Sequence, residues 1–202
     1  MFVLVESGSI TKTLSGNKGI TIGDIQYPQN IFTLWTASEK EAIGIYEVVF
    51  DNANFKDQKY YNNTNQSFDF ADGVATASYG TATAKALADA NGTDEAGEEL
   101  DPVVVIEGLK TQHKRIIKQQ SSGLLIPTDW YVIKATEVES YSAPSAITTY
   151  RANVRTKSND MEVLIDACST VDELATLYEY VNTGTEENPV MERPLGEFPE
   201  AV

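Results

Sequence analysis

The single histidine and the single cysteine are the residues of this chain best suited to chemistry near neutral pH. His113 is the type of residue that serves as a general acid or base, and Cys168 is the type that attacks as a thiolate. Each lies on the apolar stripe of a predicted helix, where packing accounts for it. With only one of each, neither a histidine cluster, a cysteine-based zinc site nor an internal disulfide can form.

No motif presents such groups to a substrate. A serine triad would need His113 as its base, and no Gly-x-Ser-x-Gly turn exposes a serine. The glycine-rich phosphate loops of nucleotide-binding proteins are missing. We therefore predict that the protein is not an enzyme and has no catalytic, cofactor-binding or metal-binding residues. A site built from carboxylates alone stays open, because 30 acidic residues offer many pairs.

Acidic residues outnumber basic residues by 30 to 15, which gives a net charge of −15. Such a charge repels the phosphates of nucleic acids, so we predict no nucleic-acid partner. No apolar run approaches the ~20 residues that cross a bilayer, and the first residues lack the basic start of a signal peptide. We therefore expect no membrane association. The acids crowd residues 94–101 and 186–200, as is typical of solvated linkers and tails.

The period of the hydrophobic pattern changes along the chain from two to about 3.6 residues. Residues 1–71 predict a β-rich N-terminal region. Residues 72–101, rich in Ala, Gly, Asp and Glu, predict an extended or mobile connector. Residues 102–182 predict about four helices, and residues 183–202, with their prolines, predict an acidic extended tail. The predicted fold class is α+β, with strands and helices in separate parts.

The most regular pattern lies in the helix that follows Pro144. Apolar positions recur there at alternating spacings of three and four residues, at Ile147, Tyr150, Val154, Lys157, Met161, Leu164 and Cys168. This spacing predicts a seam of about three heptads, interrupted by Lys157. The seam is compatible with packing inside one chain and with an oligomer core between chains. Lys157 favours the first, because a lysine is costly in a dry interface.

Two groups of residues are candidates for binding partner proteins. The first lies on the seam helix, where Arg151 and Arg155 share a face and can bridge acids of a neighbouring helix or chain. Its members are Ile147, Tyr150, Arg151, Val154 and Arg155. The second consists of the apolar residues of the tail, as expected of an arm that docks on a neighbour. Its members are Val190, Met191, Leu195 and Phe198.

The aromatic residues of the first region have two interpretations. They either form the core of a small β structure or present a surface, including Trp35, that binds sugars. The Thr128-Asp129-Trp130 string predicts a helix start, with Thr128 as its cap and Trp130 packed on the preceding helix.

Several strings are shared with a known group of proteins. The most specific are Thr128-Asp129-Trp130 and Tyr150-Arg151-x-x-Val154-Arg155. The others are Ile22-Gly23-Asp24 with Tyr27-Pro28, Ser38 to Val48, Leu109-Lys110 with Lys114 and Lys118, and Leu124 to Ile133. In these strings the chain resembles an uncharacterised family of tailed-bacteriophage proteins, often encoded near tail-fibre genes and particularly in marine phages.

The resemblance implies a virion structural protein, in the tail or associated with tail fibres, that acts through protein–protein contacts. The expected partners are other fibre, adaptor or tail components, and we also expect a homo-oligomer. The expected location is the virion, after synthesis in the host cytoplasm. Two alternatives remain open: an assembly chaperone that is missing from the finished virion, and a carbohydrate-binding adhesion module.

Overall fold

A computed structural model describes residues 1–202, which divide into two compact units, Met1–Thr83 and Ala84–Val202. Strands dominate the first unit, and the longer helices all lie in the second. This arrangement confirms the predicted α+β class, with a strand-rich N-terminal part followed by helices. The first unit extends further than the predicted β-rich region, because a strand at Val74–Ser78 belongs to its sheet.

The first unit is built on a five-stranded sheet in the order β2-β1-β5-β8-β7. β5 and β8 are parallel, and the other neighbours are antiparallel. The two edge strands, β2 and β7, also contact each other, so the sheet curls towards a barrel. The elements are β1 (Phe2–Glu6), β2 (Ser9–Leu14), β3 (Ile20–Ile22), β4 (Ile25–Tyr27), α1 (Ile31–Leu34), α2 (Ala37–Glu41), β5 (Ile45–Asp51), β6 (Tyr61–Asn62), β7 (Ser67–Ala71) and β8 (Val74–Ser78). β9 (Thr83–Ala84) lies where the first unit ends.

Alternation along the strands gives this sheet two apolar faces. The face covered by α1 holds Leu4, Leu14, Ile20, Ile31, Phe32 and Ile45. The opposite face holds Val3, Val48, Ala75 and Ala77. The small Ala75 and Ala77 on β8 leave room there for the rings of Tyr46 and Phe70, whose centroids lie 4.5 Å apart.

The second unit contains four helices and two short hairpins. Its elements are β10 (Ala90–Asn91), β11 (Val105–Ile106), α3 (Leu109–Leu125), a 3₁₀ turn (Ile126–Thr128), α4 (Asp129–Glu137), α5 (Ser145–Ala167), α6 (Val171–Thr176), β12 (Val181–Asn182) and β13 (Met191–Glu192). A capping box lies at the start of α6. The Thr170 side chain accepts from the Glu173 N–H at 3.1 Å, and the Glu173 carboxylate accepts from the Thr170 N–H at 3.2 Å.

Residues 72–101 differ from the predicted connector, because most of them pair with other segments. Val74–Ser78 forms β8, and β10 pairs with β11 in a hairpin whose tip carries the acidic cluster. Gly92 lets the two arms of that hairpin approach closely: its N–H donates to the Val104 carbonyl at 2.7 Å, and a Cβ there would lie 3.2 Å from the same oxygen. A composition poor in large side chains therefore serves close backbone pairing here.

The same segment also caps α3, which begins at Leu109, later than residue 102 where the predicted helical region starts. Free N–H groups at a helix start need acceptors, and here the acceptors come from about twenty residues upstream. The Leu109 and Lys110 N–H groups donate to the carbonyls of Ala86 and Leu87, at 2.9 and 3.1 Å. Asp89 accepts from the Gly108 N–H at 2.8 Å and from the Thr111 hydroxyl at 3.0 Å. Asp89 therefore acts as an N-cap that is remote in sequence.

Helices α3 and α5 pack antiparallel and form the core of the second unit. Lys114 pairs with Asp166 at 2.7 Å and Lys118 with Glu162 at 3.3 Å, while the Tyr150 hydroxyl donates to the Leu124 carbonyl at 3.4 Å. The buried residues of α5 are Ile147, Tyr150, Arg151, Val154, Ser158, Met161 and Ile165. The seam therefore packs within the chain. Met161 and Cys168 are buried as the predicted seam places them, whereas Ser158 and Ile165 are buried in place of Lys157 and Leu164.

The last residues form a hairpin and return to the helices, which differs from the predicted extended tail. β12 and β13 pair antiparallel. The Leu195 N–H donates to the Leu177 carbonyl at 3.0 Å, and the Leu195 side chain is fully buried. Arg193 forms an ion pair with Glu197 at 2.7 Å and lies over the ring of Tyr178. The segment is therefore attached to the helices by the buried Leu195 and by Arg193.

The burial of Ile165 in place of Leu164 predicts a large and a small loss of stability for two adjacent substitutions on α5. Ile165 is 0% exposed and Leu164 is 37% exposed. We expect Ile165→Ala to lower the free energy of unfolding by about 2–5 kcal/mol, because it leaves a cavity in the core. We expect Leu164→Ala to lower it by less than about 1 kcal/mol. Urea denaturation of both variants measures the difference, and equal losses would contradict this register.

The remote cap of α3 predicts a dependence of stability on pH. The hydrogen bond from the Gly108 N–H, with the one from Thr111, lowers the pKa of Asp89 below its ordinary value of 3.8. A lowered folded-state pKa means that the ionised form stabilises the fold fully above 3.8, and that this contribution is lost as the pH falls through the lowered pKa. We therefore expect wild type to be more stable than Asp89→Asn near neutral pH, with the gap closing in acid.

Thermal unfolding across the acid range measures that gap. The matched control is Asp160→Asn, which removes the same charge from an exposed position of α5. A constant difference between wild type and Asp89→Asn down to the lowest pH would show that the Asp89 charge does not stabilise α3.

Candidate functional site

Helix α4 is the one helix of the second unit that buries none of its residues. Ile126 in the preceding 3₁₀ turn, Trp130 and Ile133 are spaced by four and three residues, which places helical side chains on one side. Their exposed fractions are 62%, 50% and 55%. Amphipathic helices normally bury such a stripe against their own domain. This apolar α4 face (Ile126, Trp130, Ile133) is therefore the leading candidate for a binding surface.

A buried arginine holds this helix in place. Arg151, on α5, donates to the Leu125 carbonyl at 2.8 Å and to the Thr128 hydroxyl at 2.6 Å, and its guanidinium lies 2.7 Å from the Asp129 carboxylate. These partners occupy the end of α3, the 3₁₀ turn and the first residue of α4. Arg151 therefore fixes the direction in which α4 leaves the core. The fork of N–H donors on a guanidinium suits this role better than a lysine ammonium would.

Trp130 does not pack on the preceding helix as the sequence suggested. Its ring stacks on Tyr131, with centroids 3.7 Å apart and an interplanar angle of 30°. Lys134 lies one turn further along α4, with its ammonium 5.9 Å from the Trp130 ring and 4.4 Å from the Tyr141 ring. Thr128 likewise does not cap α4. Its hydroxyl donates to the Leu125 carbonyl at 2.8 Å, because Arg151 and the turn use it instead.

The partner-binding candidates on the seam helix are placed mostly in the interior. Ile147, Tyr150, Arg151 and Val154 are buried within the second unit. They form the intramolecular core, so they do not present a surface to another protein. Arg155 is exposed, and its guanidinium donates to the Arg151 carbonyl at 3.4 Å.

The tail candidates divide in the same way. Leu195 is fully buried and Phe198 is partly buried, whereas Val190 and Met191 are exposed on the β12–β13 hairpin. The structure therefore does not bring the nine candidates together into one surface. Arg155, Val190 and Met191 are the members whose side chains are exposed.

The residues weighed for chemistry or sugar binding are in packed positions. His113 is buried, with its Nδ1 atom 2.7 Å from the Tyr178 hydroxyl. Burial, together with the nearby Glu173 carboxylate, raises the pKa of Cys168 above its ordinary value, which disfavours a reactive thiolate. Trp35 is partly buried against the sheet core and meets the Tyr27 ring edge-on at 5.9 Å. Replacing Trp35 would therefore disturb folding as well as any sugar contact.

Sequence reasoning did not select Ile126 and Ile133 as candidates, and it assigned Trp130 to the core. The signal that could have identified all three is their four-and-three spacing on a short helix between two longer ones. That spacing alone does not say whether a stripe faces the core or solvent. The stripe faces solvent because the contacts of Arg151 fix the direction in which α4 leaves the core.

No protein-family model, curated protein or solved structure matches this chain. Within residues 1–202, no three His, Cys, Asp or Glu side chains are grouped in a way that could hold a metal ion. None of the helices is both long enough and apolar enough to cross a membrane.

The contacts of Arg151 predict a large loss of stability when Arg151 is replaced and a small loss when Arg155, on the same face of α5, is replaced. Arg151→Met leaves the Leu125 carbonyl, the Thr128 hydroxyl and the Asp129 carboxylate without this partner. We expect it to lower the free energy of unfolding by roughly 2–3 kcal/mol, because hydrogen bonds to a buried charged group are lost. Arg155→Met should change it by less than about 0.5 kcal/mol.

Denaturant unfolding measures both values, and the difference in native-state fluorescence between each variant and its Trp130→Phe counterpart reports whether α4 has moved, since Trp35 contributes equally to both. If Arg151→Met matched Arg155→Met in stability and in fluorescence, Arg151 would not be the residue that orients α4.

Proposed function

We propose that the protein is a structural component of a bacteriophage virion, in the tail or associated with the tail fibres, and that it acts through protein–protein contacts. The observation that carries the contact role is the exposed apolar α4 face on a helix without a single buried residue. The assignment to a phage tail is supported by the resemblance of the Thr128-Asp129-Trp130 and Tyr150-to-Arg155 strings to tail-associated proteins.

Two physical features suit the α4 face to a protein partner. Tryptophan is among the residues that contribute most of the binding energy in protein interfaces, and the apolar residues around it help to exclude water. The buried Arg151 contacts already fix the helix that carries them, so little conformational entropy is lost on binding. The proposed interaction is therefore docking of a preformed surface.

The net charge of the chain also limits which partner can cover the α4 face. A net charge of −15 on each copy opposes close approach of two copies, so it favours a neutral or basic tail protein with an apolar groove. The heptad seam is occupied within the chain, so a homo-oligomer would also have to use another surface. We propose another tail protein as the occupant, and a second copy is the competing outcome.

The α4 face predicts a separation between folding and assembly. We expect the double substitution Trp130→Glu and Ile133→Glu to leave the thermal unfolding midpoint within about 2 °C of wild type, because both residues are exposed. Incorporation into particles should fall by about tenfold or more, since the charges would be buried against an apolar partner. Quantitative mass spectrometry of purified particles, assembled with each variant as the sole source of this chain, measures the incorporation.

Val163→Glu is the matched control, because Val163 is a 67% exposed apolar residue on α5 that lies outside the α4 face. Normal incorporation of the α4 double variant would contradict the proposed surface. Absence of the wild-type chain from finished particles, with assembly failing when it is deleted, would favour the assembly chaperone. A concentration-dependent dimer that the α4 substitutions abolish would identify a second copy as the occupant.

A further inference from the structure

The first unit contains a cleft of about 600 Å³ that the contact role does not use. It lies beside the second half of β2 and the turn that leads into β3. Its lining contains two lysines and no acidic residue, in a chain where acids outnumber bases by 30 to 15. The lining is Met1, Lys12, Thr13, Leu14, Ser15, Gly16, Lys18, Gly19, Ile20, Thr21 and Phe32. The volume falls within the range of about 300–1,000 Å³ that small-molecule sites occupy.

A β-bulge directs one of these lysines to the cleft. The register between β1 and β2 shifts after the pair Val5–Ile10, so that Leu4 faces Lys12 and Thr11 is the extra residue. Ile10 therefore packs on the face of the sheet that holds Val3 and Val48. Lys12 lies on the face covered by α1, on the same side as Leu4 and Leu14. The Thr11 hydroxyl lies 2.8 Å from the Glu6 carboxylate, which holds the bulge. Bulges commonly re-aim side chains next to functional sites.

Both lysines lack a partner within the protein. The side chains of Lys12 and Lys18 form no ion pair, hydrogen bond or ring contact. The lysines of α3 differ, since Lys114 and Lys118 each pair with an acid of α5. Two unpaired ammonium groups on one cleft leave an uncompensated positive charge there.

The floor of the cleft is apolar and close to the backbone. Leu14, Ile20 and Phe32 on the lining are buried members of the core beneath it. The turn requires glycine at two positions. Gly16 has a φ of +74°, which favours glycine, and a Cβ at Gly19 would lie 2.6 Å from the Tyr27 carbonyl oxygen. The cleft therefore combines positive charge at its rim with apolar surface below.

We propose that this cleft binds a small ligand that carries a carboxylate or phosphate next to an apolar group. The anion would pair with the ammonium groups of Lys12 and Lys18, and the apolar group would cover the floor formed by Leu14, Ile20 and Phe32. Neither half of the cleft is sufficient alone. Exposed ion pairs contribute little each, so the apolar contact supplies affinity while the two lysines select for charge.

Titration of the ¹⁵N-labelled full chain with four probes tests this proposal, with backbone amide shifts as the readout. Phenyl phosphate and benzoate carry both features, benzyl alcohol lacks the charge, and inorganic phosphate lacks the apolar group. We expect phenyl phosphate or benzoate to shift the amides of Gly16, Gly19 and Thr21, with the stronger of the two identifying the anion. Benzyl alcohol and inorganic phosphate should bind at least about tenfold more weakly.

The double substitution Lys12→Gln and Lys18→Gln should weaken the binding of the anionic probes by about tenfold without changing the thermal midpoint, because both side chains are exposed. Lys157→Gln is the matched control: it removes the same charge in the second unit and should leave binding within about twofold. The proposal is overturned if neither anionic probe shifts the cleft amides, if the double variant binds as tightly as wild type, or if inorganic phosphate binds as well as phenyl phosphate.

Discussion

The second unit depends on how one buried charge is satisfied. A guanidinium removed from water destabilises a fold unless its donors find acceptors, and Arg151 finds them in the Leu125 carbonyl, the Thr128 hydroxyl and the Asp129 carboxylate. Because these acceptors follow one another through the end of α3, the 3₁₀ turn and the start of α4, they fix the path of the chain at that junction. From this junction α4 extends with none of its residues buried.

The residues that α5 buries depart in part from the predicted seam. The seam would bury Lys157 and Leu164, whereas the helix buries Ser158 and Ile165. Lys114 pairs with Asp166 and Lys118 with Glu162 across the contact between α3 and α5. Partly exposed pairs of this kind add little stability, so their effect is to select one register among several that apolar packing would tolerate. Ser158 suits such a position, because a small side chain lets the two helices approach closely.

Features whose partners are near in sequence could be predicted, and features whose partners are distant could not. The α+β class and the Thr170–Glu173 capping box follow from local periodicity and local hydrogen bonding. The cap of α3 by Asp89 and the attachment of Leu195 to Leu177 join residues about twenty positions apart, and composition alone made both segments look unstructured. The exposure of Trp130 was missed for a related reason. A four-and-three stripe indicates one apolar side of a helix, but the residue that turns this side outward is Arg151, on another helix.

The cleft in the first unit arises from a comparable local irregularity. A regular β2 would place Ile10 and Lys12 on the same side of the sheet, and the extra residue at Thr11 separates them. Ile10 then packs on the face that holds Val3 and Val48. Lys12 lies on the face covered by α1, beside the glycine-rich turn. A regular strand would put Ile10 and Leu14 on the same face, so the bulge lets each of them pack in the core on its own face. The same irregularity leaves Lys12 beside the turn without an acid of the protein as its partner, and this is the charge that the proposed ligand would neutralise.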